Sequence, residues 1–255
     1  MKKSLSMLII ALLCIATLFA CNKEKAKLSL NIFAAASLTE ALNEIATLYN
    51  AATPNITLHF NFDSSGKLQT QIENGAEADV FLSAGQKQMD ALSGKFIDST
   101  TRKNLLTNKV VLIVPQNSTK SISSFEDVLT DKVSLIALGN SSVPVGQYSE
   151  EIFTSLNGWD KVSAKASLGS NVKEVLSQVE SSSIDCGVVY STDAATAKNV
   201  KVVAYAPEGS HKPVVYPVAA LKGSKNPKEA QAFLEFLSSP QAKAVFEKIG
   251  FEIVE

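Results

Sequence analysis

Several strand-like segments of this sequence end in short turns of small or polar residues that precede helix-like segments. In "NIFAAASLTEAL" (residues 31–42), a strand pattern runs into three alanines and Ser37 before apolar residues recur at helical spacing. Comparable turns and strand ends supply Ser65, Val145, Val172 and Tyr190. The first turn of a helix carries N–H groups without intrahelical partners and about half a positive charge. Turns of this composition therefore suit the binding of an anion.

The anion hypothesis requires these turns to meet in one place. In an open α/β sheet, ligands collect in the crevice at the carboxyl ends of the strands. Two serine hydroxyls, a phenol and several helix N-termini would form a donor-rich, nearly uncharged pocket there. Such a pocket suits a fully deprotonated oxyanion, which accepts hydrogen bonds and donates none. The alternative is that each turn is an ordinary helix cap, and Ser37 with Glu40 matches a capping box.

Catalytic and metal chemistry has weaker support in the sequence. The chain has two histidines, His59 in a strand pattern and His211 in a polar loop. No cysteine and histidine cluster has metal-site spacing, and no nucleophile elbow or P-loop motif occurs. A serine hydrolase that uses Ser65 with His59 is one alternative, and it needs the two side chains within about 3 Å. Because His59 lies six residues earlier along a strand, we expect the two to be far apart.

The N-terminal segment is predicted to direct export. Lys2 and Lys3 precede an apolar run that is short for a membrane span and ends in "LFAC". This ending is similar to a bacterial lipoprotein signal, in which cleavage precedes the cysteine and the cysteine is lipidated. We expect residues 1–20 to be a signal peptide, Cys21 to carry the lipid anchor and residues 21–27 to form a tether. An ordinary secretory signal cut elsewhere is the alternative.

Strand-like and helix-like segments alternate from Leu28 onward, which predicts an α/β fold with parallel sheets and helices on both faces. Two long apolar runs, residues 109–115 and 214–221, flank the middle of the chain and could be crossings between two lobes. The formal net charge is −1 and no run of basic residues occurs. The composition therefore gives no indication of a nucleic-acid partner.

Five motifs stand in order along the chain: "FAAASL", "SSG", "ADVFLSA", "VPVGQY" and "GVVYSTDA". With the closing "PEGSHKPVVYPVA" and "SSPQAKAVFEKIGFEI", the sequence resembles the periplasmic molybdate-binding proteins of ABC transporters from Leu28 onward. The resemblance implies a two-lobed, hinged periplasmic-binding-protein fold of type II, each lobe a mainly parallel sheet flanked by helices. We assign residues 28–113 with 216–255 to the first lobe and residues 114–215 to the second.

The resemblance also implies a function and a set of ligand contacts. A monomer would capture molybdate or tungstate, without a cofactor, and deliver it to a membrane permease. Carried over by position, the contacts are the hydroxyls of Ser37, Ser65 and Tyr190 and the backbone N–H groups of Val145 and Val172. Molybdenum would be held only as the oxyanion. Sulfate or another tetrahedral oxyanion is the alternative ligand. Asp63 should turn away from the ligand and cap the next helix, and Lys67 should point outward.

Overall fold

The computed structural model describes residues 28–254, so the predicted signal peptide, Cys21 and the tether lie outside the described residues. Within this range the chain forms eleven strands and nine α-helices. The strands are β1 (Leu28–Ala35), β2 (Ile56–Asp63), β3 (Val80–Leu82), β4 (Lys103–Asn108), β5 (Val110–Pro115), β6 (Ile136–Gly139), β7 (Ala166–Gly169), β8 (Cys186–Tyr190), β9 (Val200–Tyr205), β10 (Val214–Ala220) and β11 (Glu252–Ile253). The helices are α1 (Thr39–Ala52), α2 (Ser65–Glu73), α3 (Gln86–Leu92), α4 (Pro144–Ser155), α5 (Trp159–Ser163), α6 (Val172–Glu180), α7 (Ser191–Thr196), α8 (Pro227–Phe236) and α9 (Pro240–Ile249).

The strands form two separate sheets, one in each lobe. The first sheet has the order β11-β4-β10-β3-β1-β2, and the second has the order β7-β6-β8-β5-β9. Amphipathic helices flank the sheets. Helix α6, for example, buries Val172, Val175, Leu176 and Val179 on one face, as the spacing of these residues predicts. This arrangement confirms the predicted two-lobed α/β fold.

Both sheets are mixed, whereas mainly parallel ones are expected from the sequence. In the first sheet β1 is parallel to β2 and β3, but β10 is antiparallel to β3 and β4, and β11 is antiparallel to β4. In the second sheet β6 is parallel to β7 and β8, and β5 is antiparallel to β8 and β9. Antiparallel pairing is concentrated in β4, β5, β9 and β10, the strands next to the passages between the lobes. β10 runs against the direction of β1–β3 and β5 runs against that of β6–β8, whereas β4 and β9 run in the common direction of their sheets.

The chain passes between the lobes in short connecting segments. β4 ends at Asn108 in the first sheet, and β5 begins at Val110 in the second. The return passage lies between Tyr205 and Val214. The bounds expected from the sequence therefore put residues 110–113 and 214–215 with the wrong sheet. Each long apolar run stays in one sheet because its buried N–H and C=O groups need ladder partners along its length.

Buried residues fill β5 and the end of β1. All six residues of β5 are buried, which fits its continuous apolar sequence. β1 ends in Ala34 and Ala35, which are also buried, and a 3₁₀ turn over Ala36–Leu38 then leads into α1.

Among the described residues, none of the helices has both the length and the apolar character needed to cross a membrane.

Candidate functional site

A small cavity lies where the two lobes meet. The centre of a water-sized sphere has about 10 Å³ to occupy within it, which is about the space of one water molecule. The first lobe lines it with Ala35, Ala36, Ser37, Asp63, Ser64, Ser65 and Ala84. The second lobe lines it with Val143, Pro144, Val172 and Tyr190. Four of the five residues predicted to contact a ligand thus lie at one cavity, and the fifth, Val145, directly follows Pro144.

Ser65 is the first residue of α2 and is fully buried. Ser64 caps this helix, because its hydroxyl accepts a hydrogen bond from the Lys67 N–H at 3.4 Å. The Ser65 hydroxyl accepts a hydrogen bond from the Ala84 N–H at 2.9 Å. A backbone N–H can only donate, so the proton of Ser65 stays available for an acceptor in the cavity. The Ser65 N–H, in the first helical turn, also has no intrahelical acceptor.

Ser37 lies in the 3₁₀ turn between β1 and α1 and is buried. The predicted capping box with Glu40 is wrong, because neither helix start at this point has a side-chain cap. The Ser37 hydroxyl lies 3.0 Å from the Tyr216 hydroxyl instead. Glu40 extends to Lys173 of the second lobe, 2.8 Å away. The serine is therefore held by a long-range partner and faces the cavity that it lines.

Two helices of the second lobe begin at the cavity. Pro144 is the first residue of α4, where its missing N–H costs nothing, so Val145 brings the first free N–H of this helix. Val172 is the first residue of α6, and the Asn171 side chain caps that helix by accepting from the Glu174 N–H at 3.0 Å. Both valine side chains are buried in the core. The group that each valine can offer to an anion is its backbone N–H.

Tyr190 ends β8 and brings a phenol from the second lobe to the first. Its hydroxyl donates to the Ala84 carbonyl oxygen at a long 3.4 Å. Burial raises the pKa of Tyr190 well above its ordinary value, so the hydroxyl keeps its proton and stays a donor at neutral pH. An anion in the cavity is a stronger acceptor than a carbonyl. The hydroxyl is therefore placed to exchange a weak partner for a ligand.

Asp63 is the charged residue among those that line the cavity, which differs from the expectation that it turns away and caps the next helix. Its Oδ1 accepts from the Ser64 N–H at 2.7 Å and lies 3.4 Å from the Lys67 ammonium. Asn171 of the second lobe donates to the same oxygen at 3.5 Å. Lys67, itself partly exposed, balances the charge of the carboxylate. This pairing reduces the repulsion that an anionic ligand would meet.

Hydrogen bonds join the two lobes directly. The Gly66 N–H donates to the Ser142 carbonyl oxygen at 3.0 Å, and Gln88 donates to Gln147 at 3.3 Å. A Cβ atom on Gly66 would lie 2.3 Å from that Ser142 oxygen. Glycine is therefore required here by the close approach of the two lobes. The contacts describe a closed arrangement of the lobes.

An ion pair adds a further contact between the lobes. The Lys173 ammonium lies 2.8 Å from Glu40 of the first lobe and 2.9 Å from Asp193 of its own lobe. The side chain of Asp193 is fully buried, whereas those of Lys173 and Glu40 are partly exposed. Burial raises the pKa of Asp193, and the Lys173 ammonium opposes that rise. Lys173 therefore neutralises a buried carboxylate and connects the lobes one residue after Val172.

The structure does not bring His59 to Ser65. His59 is an exposed residue in the middle of β2, four residues before the strand ends at Asp63. At about 3.3 Å per residue, this separation is about 13 Å along the strand. The Ser65 hydroxyl is engaged by the Ala84 N–H instead. The nucleophile and base that the hydrolase alternative requires are therefore not assembled by these two residues.

Tyr216 and Asn108 also belong to this region, although neither is predicted from the sequence. Tyr216 is fully buried in β10 and contacts Ser37, and Asn108 donates to the Tyr216 oxygen at 3.3 Å. The available signal is a tyrosine within the apolar run "VVYPVAAL", since a buried phenol usually needs a hydrogen-bond partner. The sequence does not indicate which distant residue that partner is.

Comparison with known proteins gives whole-length matches. Residues 30–252 match the family of bacterial extracellular solute-binding proteins. YvgL of Bacillus subtilis, described as a substrate-binding lipoprotein of an ABC transporter, is 40% identical over 258 residues, which is 98% of this chain and 99% of YvgL. The molybdate-binding protein ModA of Haemophilus influenzae is 41% identical over 236 residues, which is 89% of this chain and 91% of ModA.

A solved structure also matches. It comes from Clostridium difficile and is described as the substrate-binding domain of a molybdenum ABC transporter. It is 44% identical to this chain, covers 89% of this chain and 100% of its own, and has a TM-score of 0.68. Together with the two-lobed fold, these matches establish that the chain belongs to the family of bacterial extracellular solute-binding proteins.

Proposed function

We propose that this protein captures molybdate or tungstate in the cavity between its lobes and delivers the oxyanion to the permease of an ABC transporter. The observation that carries this proposal is the convergence of uncharged donors from both lobes on one cavity. The donors at the cavity are the hydroxyls of Ser37, Ser65 and Tyr190 and the first-turn N–H groups of Ser65 and Val172. The Val145 N–H, one residue after the lining residue Pro144, would be a further donor. A tetrahedral dianion has only acceptor oxygens, and each charge-assisted hydrogen bond to it contributes about 1.5–3 kcal/mol.

Capture would proceed by closure of the lobes. The oxyanion first meets the first-lobe donors, and the second lobe then rotates about the connecting segments at residues 109 and 206–213. Closure forms contacts such as that between Gly66 and Ser142 and excludes water from the cavity. Exclusion of water strengthens each hydrogen bond, and an anion oxygen left unpaired would be costly. Reopening at the permease would release the ligand.

Selectivity would depend on size and on protonation. Molybdate and tungstate have longer metal–oxygen bonds than the sulfur–oxygen bonds of sulfate, so a cavity fitted to them holds sulfate loosely. Phosphate carries a proton near neutral pH, and the N–H groups at the cavity offer that proton no acceptor. The charged acceptor among the lining residues is the Asp63 carboxylate, whose Oδ1 is already engaged by the Ser64 N–H and lies beside Lys67. The names of the related proteins support the molybdate assignment over sulfate.

We also propose that the protein is an exported lipoprotein, anchored at Cys21, that acts as a monomer and has no catalytic role. The description of YvgL as a lipoprotein, together with the signal-like first 20 residues, supports this localisation.

Binding to a panel of oxyanions tests the proposed function. A soluble form that begins at Asn22 is unfolded by heat with molybdate, tungstate, sulfate or phosphate in excess, and bound ligands are titrated by calorimetry. At about a thousand times its dissociation constant, a ligand stabilises the native state by about 4 kcal/mol, which raises Tm by several degrees. We expect this for molybdate and tungstate only. A shift in Tm with sulfate alone would overturn the assignment of molybdate or tungstate as the ligand. The absence of a shift with any of the four oxyanions would overturn the proposed function.

A further inference from the structure

A chain of buried hydrogen bonds leads from Ser37 to the passage between the lobes. The Ser37 hydroxyl oxygen lies 3.0 Å from the hydroxyl oxygen of Tyr216. Asn108 Nδ2 donates to that Tyr216 oxygen at 3.3 Å and to Thr192 Oγ1 at 2.9 Å. All four side chains are buried. Buried polar groups are almost always hydrogen-bonded, so each proton in this chain is expected to have an acceptor.

The orientation of the Asn108 amide sets the direction of the chain. Its Oδ1 accepts from the Lys109 N–H at 2.8 Å and from the Ser191 hydroxyl at 2.9 Å. Because a backbone N–H can only donate, Oδ1 has to face Lys109, and Nδ2 has to face Tyr216. The Tyr216 oxygen therefore receives a donor from Asn108. Its own proton is then directed to the remaining partner, the Ser37 oxygen.

This direction decides what Ser37 presents to the cavity. With Tyr216 as donor, the Ser37 oxygen is an acceptor on that side, and its own proton is free to face the cavity. The reverse direction would leave the Tyr216 proton without an acceptor in a fully buried position. It would also present only Ser37 lone pairs to a ligand that has no proton to give. Burial raises the pKa of Tyr216 well above its ordinary value, so the phenol keeps the proton that the chain requires.

We propose that Tyr216 and Asn108 are positioning residues for oxyanion binding, which orient the Ser37 hydroxyl as a donor toward the ligand. This inference rests on the proposed function and extends it to two residues that do not line the cavity. Asn108 also contacts Ser191 and Thr192 of the second lobe. The chain that orients a first-lobe contact is thus anchored in part by the second lobe.

A double-mutant cycle on the purified protein tests this proposal. Calorimetric titration with molybdate is carried out on the wild type, Tyr216→Phe, Ser37→Ala and the double variant. Tyr216→Phe removes the proton that fixes Ser37, so we expect molybdate binding about 10-fold weaker in the wild-type background. In the Ser37→Ala background we expect the same change to alter Kd by less than about twofold. Equal weakening in both backgrounds would overturn the proposal. Such a result would mean that loss of the Tyr216 hydroxyl disturbs the structure in a way that does not depend on the Ser37 hydroxyl.

Two further variants keep the test decisive. Tyr49→Phe is the matched control, since the buried Tyr49 hydroxyl has no hydrogen-bond partner within residues 28–254, and the change should leave Kd unchanged. If Tyr216→Phe does not fold, Asn108→Asp is combined with Ser37→Ala in the same kind of cycle. In this variant an aspartate oxygen replaces the amide Nδ2 that donates to the Tyr216 hydroxyl. Direct repulsion by the new charge persists without the Ser37 hydroxyl, whereas the positioning effect disappears. If the wild type binds molybdate but the effects of the two mutations are additive, only the positioning role is overturned. If the wild type binds no oxyanion, the proposed function is overturned as well.

Discussion

Lys173→Met is expected to lower the free energy of unfolding by about 3–5 kcal/mol at pH 8, because it leaves a buried charge without its partner. The charge belongs to Asp193, whose side chain is fully buried and lies 2.9 Å from the Lys173 ammonium. Burial already raises the pKa of Asp193, and loss of the ammonium raises it further. The carboxyl must then either stay ionised without a partner or take up a proton.

The pH dependence of this effect has a definite sign. In the unfolded chain an aspartate has a pKa of about 3.9, below the raised value in the folded variant. The folded state therefore binds the proton more tightly, and the stability from this group is present at low pH and lost as pH rises through the folded pKa. Urea unfolding of Lys173→Met at pH 5, 6.5 and 8 should show a loss that grows with pH.

Two variants separate this effect from the contact between the lobes. Adding Asp193→Asn to Lys173→Met removes the buried charge, and we expect the extra loss at pH 8 to disappear. Glu40→Gln breaks only the contact between the lobes, at a carboxylate that is 41% exposed, so we expect a cost of less than about 1 kcal/mol. A loss from Lys173→Met that is equal at all three pH values would contradict this account.

Gly66→Ala is expected to weaken molybdate binding by about 5- to 150-fold, which corresponds to the 1–3 kcal/mol typical of overpacking. A Cβ at this position would lie 2.3 Å from the Ser142 carbonyl oxygen of the opposite lobe. The clash involves two backbones that meet only when the lobes close, so it opposes closure. Alanine is otherwise favourable in this helical turn, so each lobe should fold normally. The readouts are Kd by calorimetry and compaction on ligand addition by small-angle X-ray scattering.

Gly223→Ala is the matched control for this variant. Apart from its chain neighbours, no atom of the described part of the chain lies within 4 Å of the Cβ position at Gly223, so the same change there should leave both binding and compaction as in the wild type. Unchanged affinity in Gly66→Ala, with compaction equal to that of the wild type, would show that closure does not depend on this contact.

The sequence predicts best those elements whose pattern is local and regular. The sequence itself indicates helix α6 (Val172–Glu180), because its apolar residues recur at helical spacing and Asn171 is a suitable cap before its first residue. β4 ("KNLLTN") and β11 ("EI") escape prediction, because their patterns are short and weakly apolar. They exist as strands because β4 lies between β10 and β11, segments more than 100 residues away in the sequence. Strand formation depends more on such neighbours than on intrinsic preference.

The residues of the candidate site also differ in how far the local sequence predicts them. Ser65, Val172 and Tyr190 are locatable because each stands where a local strand-to-helix turn brings it to the sheet edge. For Ser37 the local pattern is misleading, since the capping box it matches is replaced by a hydrogen bond to Tyr216, 179 positions later. Asn108 is likewise joined to Tyr216 across 108 positions. Partners at such separations depend on the register of β4 and β10, which the local sequence does not specify.

The most direct test of a site shared between two lobes is to locate the bound metal in a crystal of the protein grown with tungstate, using anomalous scattering from tungsten. We expect a single strong peak in the cavity, with oxyanion oxygens within about 3.2 Å of the Ser37 and Ser65 hydroxyls and of the Val172 N–H. The Tyr190 hydroxyl and the Val145 N–H should lie within the same distance. A peak outside this cavity, or one contacted by residues of only one lobe, would contradict the proposed site and capture by closure.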